Sequence, residues 1–273
     1  SDIAHCTDAC GAYSQGRFQL MFYVSTRGES DKKKFCDILL EGLAPDGGLY
    51  LPDHYPQLSA DDLQRLRQIY SNQGYAHLAF EILSLYIDDI SPEDLLALCV
   101  KTYTEDIFGS WLITPLRKLD DQVAILALSN GPTLAFKDVA LQFLGQLFDL
   151  LLEQRDEHIT IVGATSGDTG SAAIDGVKNC SRVKIVILYP EGRVSDVQRR
   201  QMTTVNSPNV KTLAVNGTFD DCQDLVKAMF NNQKFREEQR LSAVNSINWA
   251  RIMAQVVYYF SAAQQLASSG VSI

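Results

Sequence analysis

The sequence lacks the features that would direct it to a membrane or to nucleic acid. No apolar run approaches the roughly 20 residues of a membrane-spanning helix, and no basic segment followed by an apolar one marks a secretory signal. The longest basic cluster is Lys32 to Lys34, and 33 acidic residues outnumber 24 basic ones, for a net charge of -9. We therefore expect no membrane and no nucleic acid among the partners, and a cytoplasmic location.

Cysteine is scarce and scattered. Of the six cysteines only Cys6 and Cys10 lie close together, beside His5. A chain of 273 residues can build a core without disulfides, so the pattern is typical of a reducing compartment. A single cysteine pair without a second pair of ligands is a weak metal pattern, and we predict no metal site.

The periodicity of the chain divides it into three parts. Residues 1–20 show neither helical nor strand periodicity, and Met21 looks like a natural start, so we interpret 1–20 as a leader or an added segment. A mainly helical domain is predicted over 21–109, with a strand at 21–26 and helices near 31–43, 59–70 and 75–87 and from residue 91.

From residue 110 to 273 short apolar strands alternate with helices, which predicts an α/β domain. We expect a largely parallel sheet covered by helices on both faces. The predicted strands are Val123 to Leu128, Ile159 to Val162, Val183 to Leu188 and Val210 to Val215; the predicted helices are near 137–154, 169–178, 195–205, 219–231 and 248–267. Ligands of such sheets bind at the carboxyl ends of the strands.

One lysine stands at the start of a strongly apolar helix. The stretch from Ser129 to Leu152 reads SNGPTLAFKDVALQFLGQLFDLLL, and Lys137 is its single lysine. Few polar residues follow it, so the helix should be buried on most sides. Dehydration and the helix dipole would both favour the neutral, nucleophilic amine at this position. A helix cap is the simpler role for the next residue, Asp138.

A second loop follows a predicted strand and opens a predicted helix. It runs from Gly163 to Ser171 and reads GATSGDTGS. Its backbone amides could face an anion, but it has neither the Gly-Lys-Ser/Thr end of a Walker loop nor the glycine spacing of a dinucleotide fingerprint. Small hydroxyls beside glycines fit a carboxylate better than a diphosphate.

Several motifs in one order resemble threonine synthase, a family of fold-type II pyridoxal-phosphate enzymes. They are STRG and APDGGLYLP near the start, then NGPTLAFKD, ATSGDTGSAA, ILYPEG and NSINWARIMAQ. The resemblance extends from about Met21 to the end of the chain. It implies that Lys137 holds pyridoxal 5'-phosphate covalently and acts as the catalytic residue.

The resemblance also implies a substrate site and a reaction. The loop residues Thr165, Ser166, Gly167, Asp168 and Thr169 would grip the substrate carboxylate, and Asn248 and Arg251 would contact the substrate phosphate. The implied reaction converts O-phospho-L-homoserine and water into L-threonine and phosphate. In the family, the glycine-rich loop that holds the cofactor phosphate comes later than Ile273, so we expect a chain that lacks the C-terminal part.

Two alternatives remain open at this point. Another fold-type II lyase, such as a threonine dehydratase or a β-replacing synthase, would share the lysine and the carboxylate loop. A truncated, non-catalytic threonine synthase-like protein would keep the family surface without turnover. The sequence does not decide between a monomer and a homodimer.

Overall fold

A computed structural model describes residues 20–244 and 247–268. The predicted leader lies outside these residues except for Leu20, and so does the His5, Cys6 and Cys10 cluster. Within the described chain no helix is long and apolar enough to cross a membrane.

The N-terminal part is mainly helical, as predicted. Two short strands pair antiparallel, β1 (Tyr23–Ser25) and β2 (Tyr50–Pro52). The helices are α1 (Phe35–Glu41), α2 (Ala60–Gln73), α3 (Tyr75–Leu83), α4 (Pro92–Thr102) and α5 (Glu105–Phe108). Helix α2 begins where the sequence predicts, because Ser59 and Asp62 form a reciprocal capping box. The domain boundary near residue 109 stays a prediction.

A hairpin follows the helices and corrects one strand prediction. The segment predicted at 123–128 forms β4 (Ala124–Leu126), but it pairs antiparallel with β3 (Leu116–Lys118) in a separate two-stranded sheet. The reason is local turn chemistry: the Asp120 carboxylate accepts hydrogen bonds from the backbone N–H groups of Gln122 and Val123, both at 2.7 Å. Such an Asx turn reverses the chain before it can reach the main sheet.

The main sheet has four parallel strands and confirms the predicted fold class. Its members are β5 (Ile159–Ala164), β6 (Val183–Pro190), β7 (Val210–Val215) and β8 (Leu241–Ser242), in the order β7-β6-β5-β8. The edge strand β8, beside β5, is too short for the sequence pattern to reveal. All carboxyl ends therefore lie at one edge, where the loop after β5 begins.

Helices cover both faces of this sheet. They are α6 (Asp138–Arg155), α7 (Asp168–Val177), α8 (Asp196–Thr203), α9 (Phe219–Asn231), α10 (Gln233–Glu238) and α11 (Trp249–Ser268). Alternation along β5 explains the two layers, since Ile161 packs into the main core while Val162 packs into a small cluster with Cys222 of α9. As predicted, α6 is buried on most sides.

Helices α6 and α7 approach each other through glycine. A Cβ atom at Gly145 would lie 1.9 Å from the carbonyl oxygen of Gly176, and one at Gly176 would lie 2.4 Å from the carbonyl oxygen of Leu141. Neither position has room for a side chain, so the two helix backbones are in direct contact.

We predict that Gly145→Ala destabilises the protein by about 2 kcal/mol. Overpacking of a core costs about 1–3 kcal/mol, and here the new methyl meets backbone, which outweighs the roughly 1 kcal/mol gained from helix propensity. Urea denaturation measures the change. Gly163→Ala is the matched control, because its new Cβ would meet only Ile187 Cδ1 at 3.4 Å. Equal losses in the two variants would contradict the backbone contact.

Candidate active site

The side chain of Lys137 is held between an aromatic ring and a carboxylate. Lys137 is the N-cap residue of α6 and is 9% exposed. Its Nζ lies 4.3 Å from the centroid of the Phe136 ring and donates to Oδ2 of Asp168 in a salt bridge. The ring and the carboxylate both stabilise a cation at this position.

The loop that leads to Lys137 is shaped by Asp138. The Asp138 carboxylate accepts from the backbone N–H of Thr133 at 2.8 Å and from its hydroxyl at 2.7 Å. Complete burial raises the pKa of Asp138, although both hydrogen bonds from Thr133 oppose that effect. At Gly131 a Cβ would lie 2.4 Å from Cβ of Asp138, so only glycine fits there.

This arrangement corrects the predicted role of Asp138. Its side chain does not cap the helix that it begins, since α6 has no side-chain cap at its N-terminus. It instead bonds five residues back and folds residues 131–137 into a compact turn.

The second loop is held by Thr165, at the carboxyl end of β5. Its buried hydroxyl oxygen accepts from the N–H groups of Gly167 at 3.0 Å and Gly170 at 2.8 Å. Gly167 has φ +138°, a conformation that side chains disfavour, and a Cβ there would also strike the side-chain oxygen of Gln198. The sequence thus specifies this loop through one hydroxyl and two glycines.

Asp168 begins helix α7 and links the two loops. Partial burial raises its pKa, but the hydrogen bond and charge of Lys137 outweigh that effect and lower it below the ordinary 3.8. Its other oxygen, Oδ1, accepts from the N–H of Thr169 at 2.8 Å. A carboxylate at a helix N-terminus is also stabilised by the helix dipole.

Arg251 of α11 brings a second cation to the same neighbourhood. It is 6% exposed and interacts electrostatically with Asp168. Burial lowers the pKa of Arg251, an effect that Asp168 and Tyr258 partly oppose. Among the described residues no acceptor meets its buried Nε. An arginine in this state can pair with an added anion.

Asn248 makes structural hydrogen bonds at the start of α11. Its amide nitrogen donates to the carbonyl oxygens of Leu39 and Ala243, both at 3.0 Å, and its Oδ1 accepts from the N–H of Ala250 at 3.1 Å. It is fully buried and caps α11. These bonds make it a structural residue in this structure, and its predicted phosphate contact stays an untested prediction.

The structure therefore brings Lys137, Asp168 and Arg251 together and holds Thr165 and Gly167 as the frame of the loop. Ser166 is exposed, and Thr169 follows Asp168 on α7. Sequence reasoning missed Phe136 and Thr133, although both lie in the lysine motif. It also missed Gln198 of α8. The sequence of this helix is mostly polar, as in a surface helix, so no pattern marks Gln198 as part of a site.

The comparisons with known proteins agree on one family. Residues 22–103 match the family model described as threonine synthase N terminus. The threonine synthase of Corynebacterium glutamicum is 50% identical over 242 residues, which are 88% of this chain and 50% of that protein. A crystal structure of threonine synthase with bound pyridoxal phosphate, from Brucella melitensis, superposes with a TM-score of 0.84 at 48% identity and covers 93% of this chain and 54% of that one.

The chain is similar to threonine synthases along most of its own length. The resemblance seen in the motifs is thereby confirmed, as is the fold that it implied. A third relative, the threonine synthase of Pseudomonas aeruginosa, is 48% identical over 254 residues, 93% of this chain and 53% of that protein. The chain spans about half the length of the curated relatives that it matches.

We predict that the ion pair of Lys137 and Asp168 makes the stability of the chain depend on pH. The pKa of Asp168 is lowered in the folded state, so its carboxylate stabilises the fold above its unfolded pKa of about 4. That stabilisation is lost as the pH falls through the folded pKa. Asp168→Asn should therefore be less stable than the parent at pH 7; the difference should begin to shrink at about pH 4 and vanish once the pH is below the lowered pKa of Asp168.

Urea denaturation at a series of pH values tests this. Asp196→Asn is the control, since Asp196 also pairs with a basic residue, Arg199, but its side chain is 84% exposed. A stability difference for Asp168→Asn that is the same at every pH would show that the pair contributes no pH-dependent stability.

Proposed function

We propose that this chain carries the lysine half of a threonine synthase site, which converts O-phospho-L-homoserine and water into L-threonine and phosphate. One observation supports it above the others: the buried amine of Lys137 meets the carboxylate of Asp168, from the hydroxyl-rich loop, at the carboxyl end of β5. The relatives are about 50% identical to this chain over the aligned residues, which are about half of each relative. They are named threonine synthases, so the non-catalytic alternative is not favoured.

The residues present fit pyridoxal 5'-phosphate as the cofactor. The Lys137 amine is shielded from water on the face of Phe136, which suits covalent attachment of an aldehyde. When bound, this cofactor supplies an electron sink for negative charge that develops on the substrate carbon. Lys137 would then hold and return protons at its Nζ.

The loop after β5 is suited to the substrate carboxylate. The N–H groups of Gly167, Thr169 and Gly170 are used within the loop. Those of Ser166 and Asp168 have no acceptor in the part of the chain that the structure describes. Together with the Ser166 and Thr169 hydroxyls and the dipole of α7, they offer donors to a carboxylate.

The charges support a contact between Arg251 and the substrate phosphate. Its buried guanidinium has an unused Nε donor and lies in the electrostatic field of Asp168. A phosphate would supply the acceptor that the described residues leave missing. The negative charge of Asp168 would meanwhile reduce the electrostatic repulsion between the two cations, Lys137 and Arg251. A cytoplasmic location and the division at residues 20 and 109 remain predictions.

The cofactor role of Lys137 is tested by absorbance after addition of pyridoxal phosphate. We expect a visible band in the parent chain and its loss in Lys137→Ala. Lys178→Ala is the matched control, since Lys178 is also a partly buried lysine paired with an aspartate, Asp175. No band in the parent at millimolar cofactor, or a band that persists in Lys137→Ala, would overturn the assignment.

Substrate class is tested in the same preparation. Release of inorganic phosphate from O-phosphohomoserine is the expected activity. Formation of ammonia and a keto acid from threonine or serine, without phosphate release, would instead favour a dehydratase.

We further predict that Arg251→Gln weakens binding of inorganic phosphate at least tenfold, because a hydrogen bond to a charged group contributes about 1.5–3 kcal/mol. The measurement is the rise in melting temperature with phosphate concentration. Arg200→Gln, which alters an exposed arginine of α8, should leave the rise unchanged. If the two variants respond alike, Arg251 is not the phosphate contact.

A further inference from the structure

Helix α8 lies against both loops of the candidate site. The side-chain nitrogen of Gln201 donates to the backbone carbonyl of Thr133, in the lysine loop, at 3.2 Å. One turn earlier Gln198 packs on Gly167, and Sδ of Met202 lies close to Gly170. One short helix therefore touches the lysine loop through Gln201 and the second loop through Gln198 and Met202.

The bond from Gln201 completes the restraint of Thr133. The N–H and hydroxyl of Thr133 are already held by Asp138, so the carbonyl was its remaining polar group. Thr133 lies four residues before Lys137. A residue with all three polar groups fixed leaves the following turn little freedom, and that turn ends at the amine.

The orientation of the Gln201 amide is set by this contact. A carbonyl can only accept, so Nε2 must face Thr133. Oε1 then points the other way and is buried without a donor among the residues that the structure describes. A buried acceptor without a donor is unfavourable, so packing alone would be served better by methionine or leucine. The hydrogen bond to the Thr133 carbonyl explains why position 201 holds glutamine rather than an apolar residue.

We infer that Gln201 is a positioning residue that fixes the lysine loop against α8, and through α8 against the Thr165–Gly170 loop. Its side-chain hydrogen bond among the described residues is to Thr133, and it acts on the loop through that residue. The inference deepens the proposed function, since it concerns how that site is held, but its readouts need neither cofactor nor substrate.

The test compares three variants of the full chain: Gln201→Met, Gln201→Glu and the control Arg200→Ala, which alters an exposed position on the same helix. Methionine keeps the length of the side chain and removes the donor. Glutamate keeps the shape and turns an acceptor toward the Thr133 carbonyl. A role in packing alone predicts that methionine is harmless and that glutamate acts only through stability.

The first readout is acetylation of lysine by acetic anhydride, followed by mass spectrometry, with Lys178 as the internal reference. We expect the ratio of Lys137 to Lys178 labelling to change roughly three- to tenfold in Gln201→Met, as the loss of one hydrogen bond allows, and more in Gln201→Glu. Arg200→Ala should leave the ratio unchanged. The second readout is hydrogen exchange of the segment 130–138, which should quicken in both Gln201 variants.

The inference would be overturned if both Gln201 variants had the same labelling ratio and the same exchange rates as Arg200→Ala. Melting temperatures report whether a variant is destabilised as a whole. Global destabilisation would quicken hydrogen exchange throughout the chain, whereas a loop effect would quicken it mainly in the segment 130–138. The inference and the proposed function fail separately. A chain that forms no band with pyridoxal phosphate but shows the labelling change keeps the positioning role and loses the cofactor role.

Discussion

The arrangement of the site depends on one buried amine, which needs a compensating negative charge. A lysine at a helix N-terminus is disfavoured by the dipole and by loss of water, and here it also begins the most buried helix of the α/β region. The Asp168 carboxylate stabilises this lysine through a salt bridge, and it lies at the start of a neighbouring helix, where the dipole favours an anion. The pair thus joins two helix N-termini that both favour an anion, and the carboxylate at one offsets the unfavourable cation at the other.

Three features of the fold bring this pair about. The parallel sheet sends the loop after β5 to the edge where its helix begins, the turn at Thr133 aims Lys137 at that edge, and α11 delivers Arg251 to it. Each feature depends on short-range chemistry: a hydroxyl that holds a loop, a carboxylate that folds a turn, and an asparagine that caps a helix. The proposed selectivity for substrate would then depend on where these loops and helices hold the charged side chains.

Much of this could be predicted from the sequence, for identifiable reasons. Alternating apolar strands and helices indicated the parallel sheet, and the motifs indicated the family, with Lys137 as the cofactor lysine and Asp168 in the substrate loop. The segment after Val123 was assigned to the wrong sheet, because strand propensity does not report which neighbour a strand will pair with and the Asx turn at Asp120 decided it. Asp138 was misjudged for a related reason: its partner, Thr133, is set by the folded geometry of the loop. The bond from Asn248 to the Leu39 carbonyl also depends on the fold, and the predicted phosphate contact of Asn248 stays a prediction. The contact from Gln201 to Thr133 spans 68 residues and leaves no local pattern.

The glycine contact between α6 and α7 bears on the dimensions of the site. Lys137 precedes the first residue of α6 and Asp168 begins α7, and at Gly145 and Gly176 the main chains of these two helices touch without side chains between them. The separation of the two backbones that carry the amine and the carboxylate is therefore set by a backbone-to-backbone contact. Substitutions elsewhere along the helix pair can alter packing and stability while this contact keeps the two helices at the same distance.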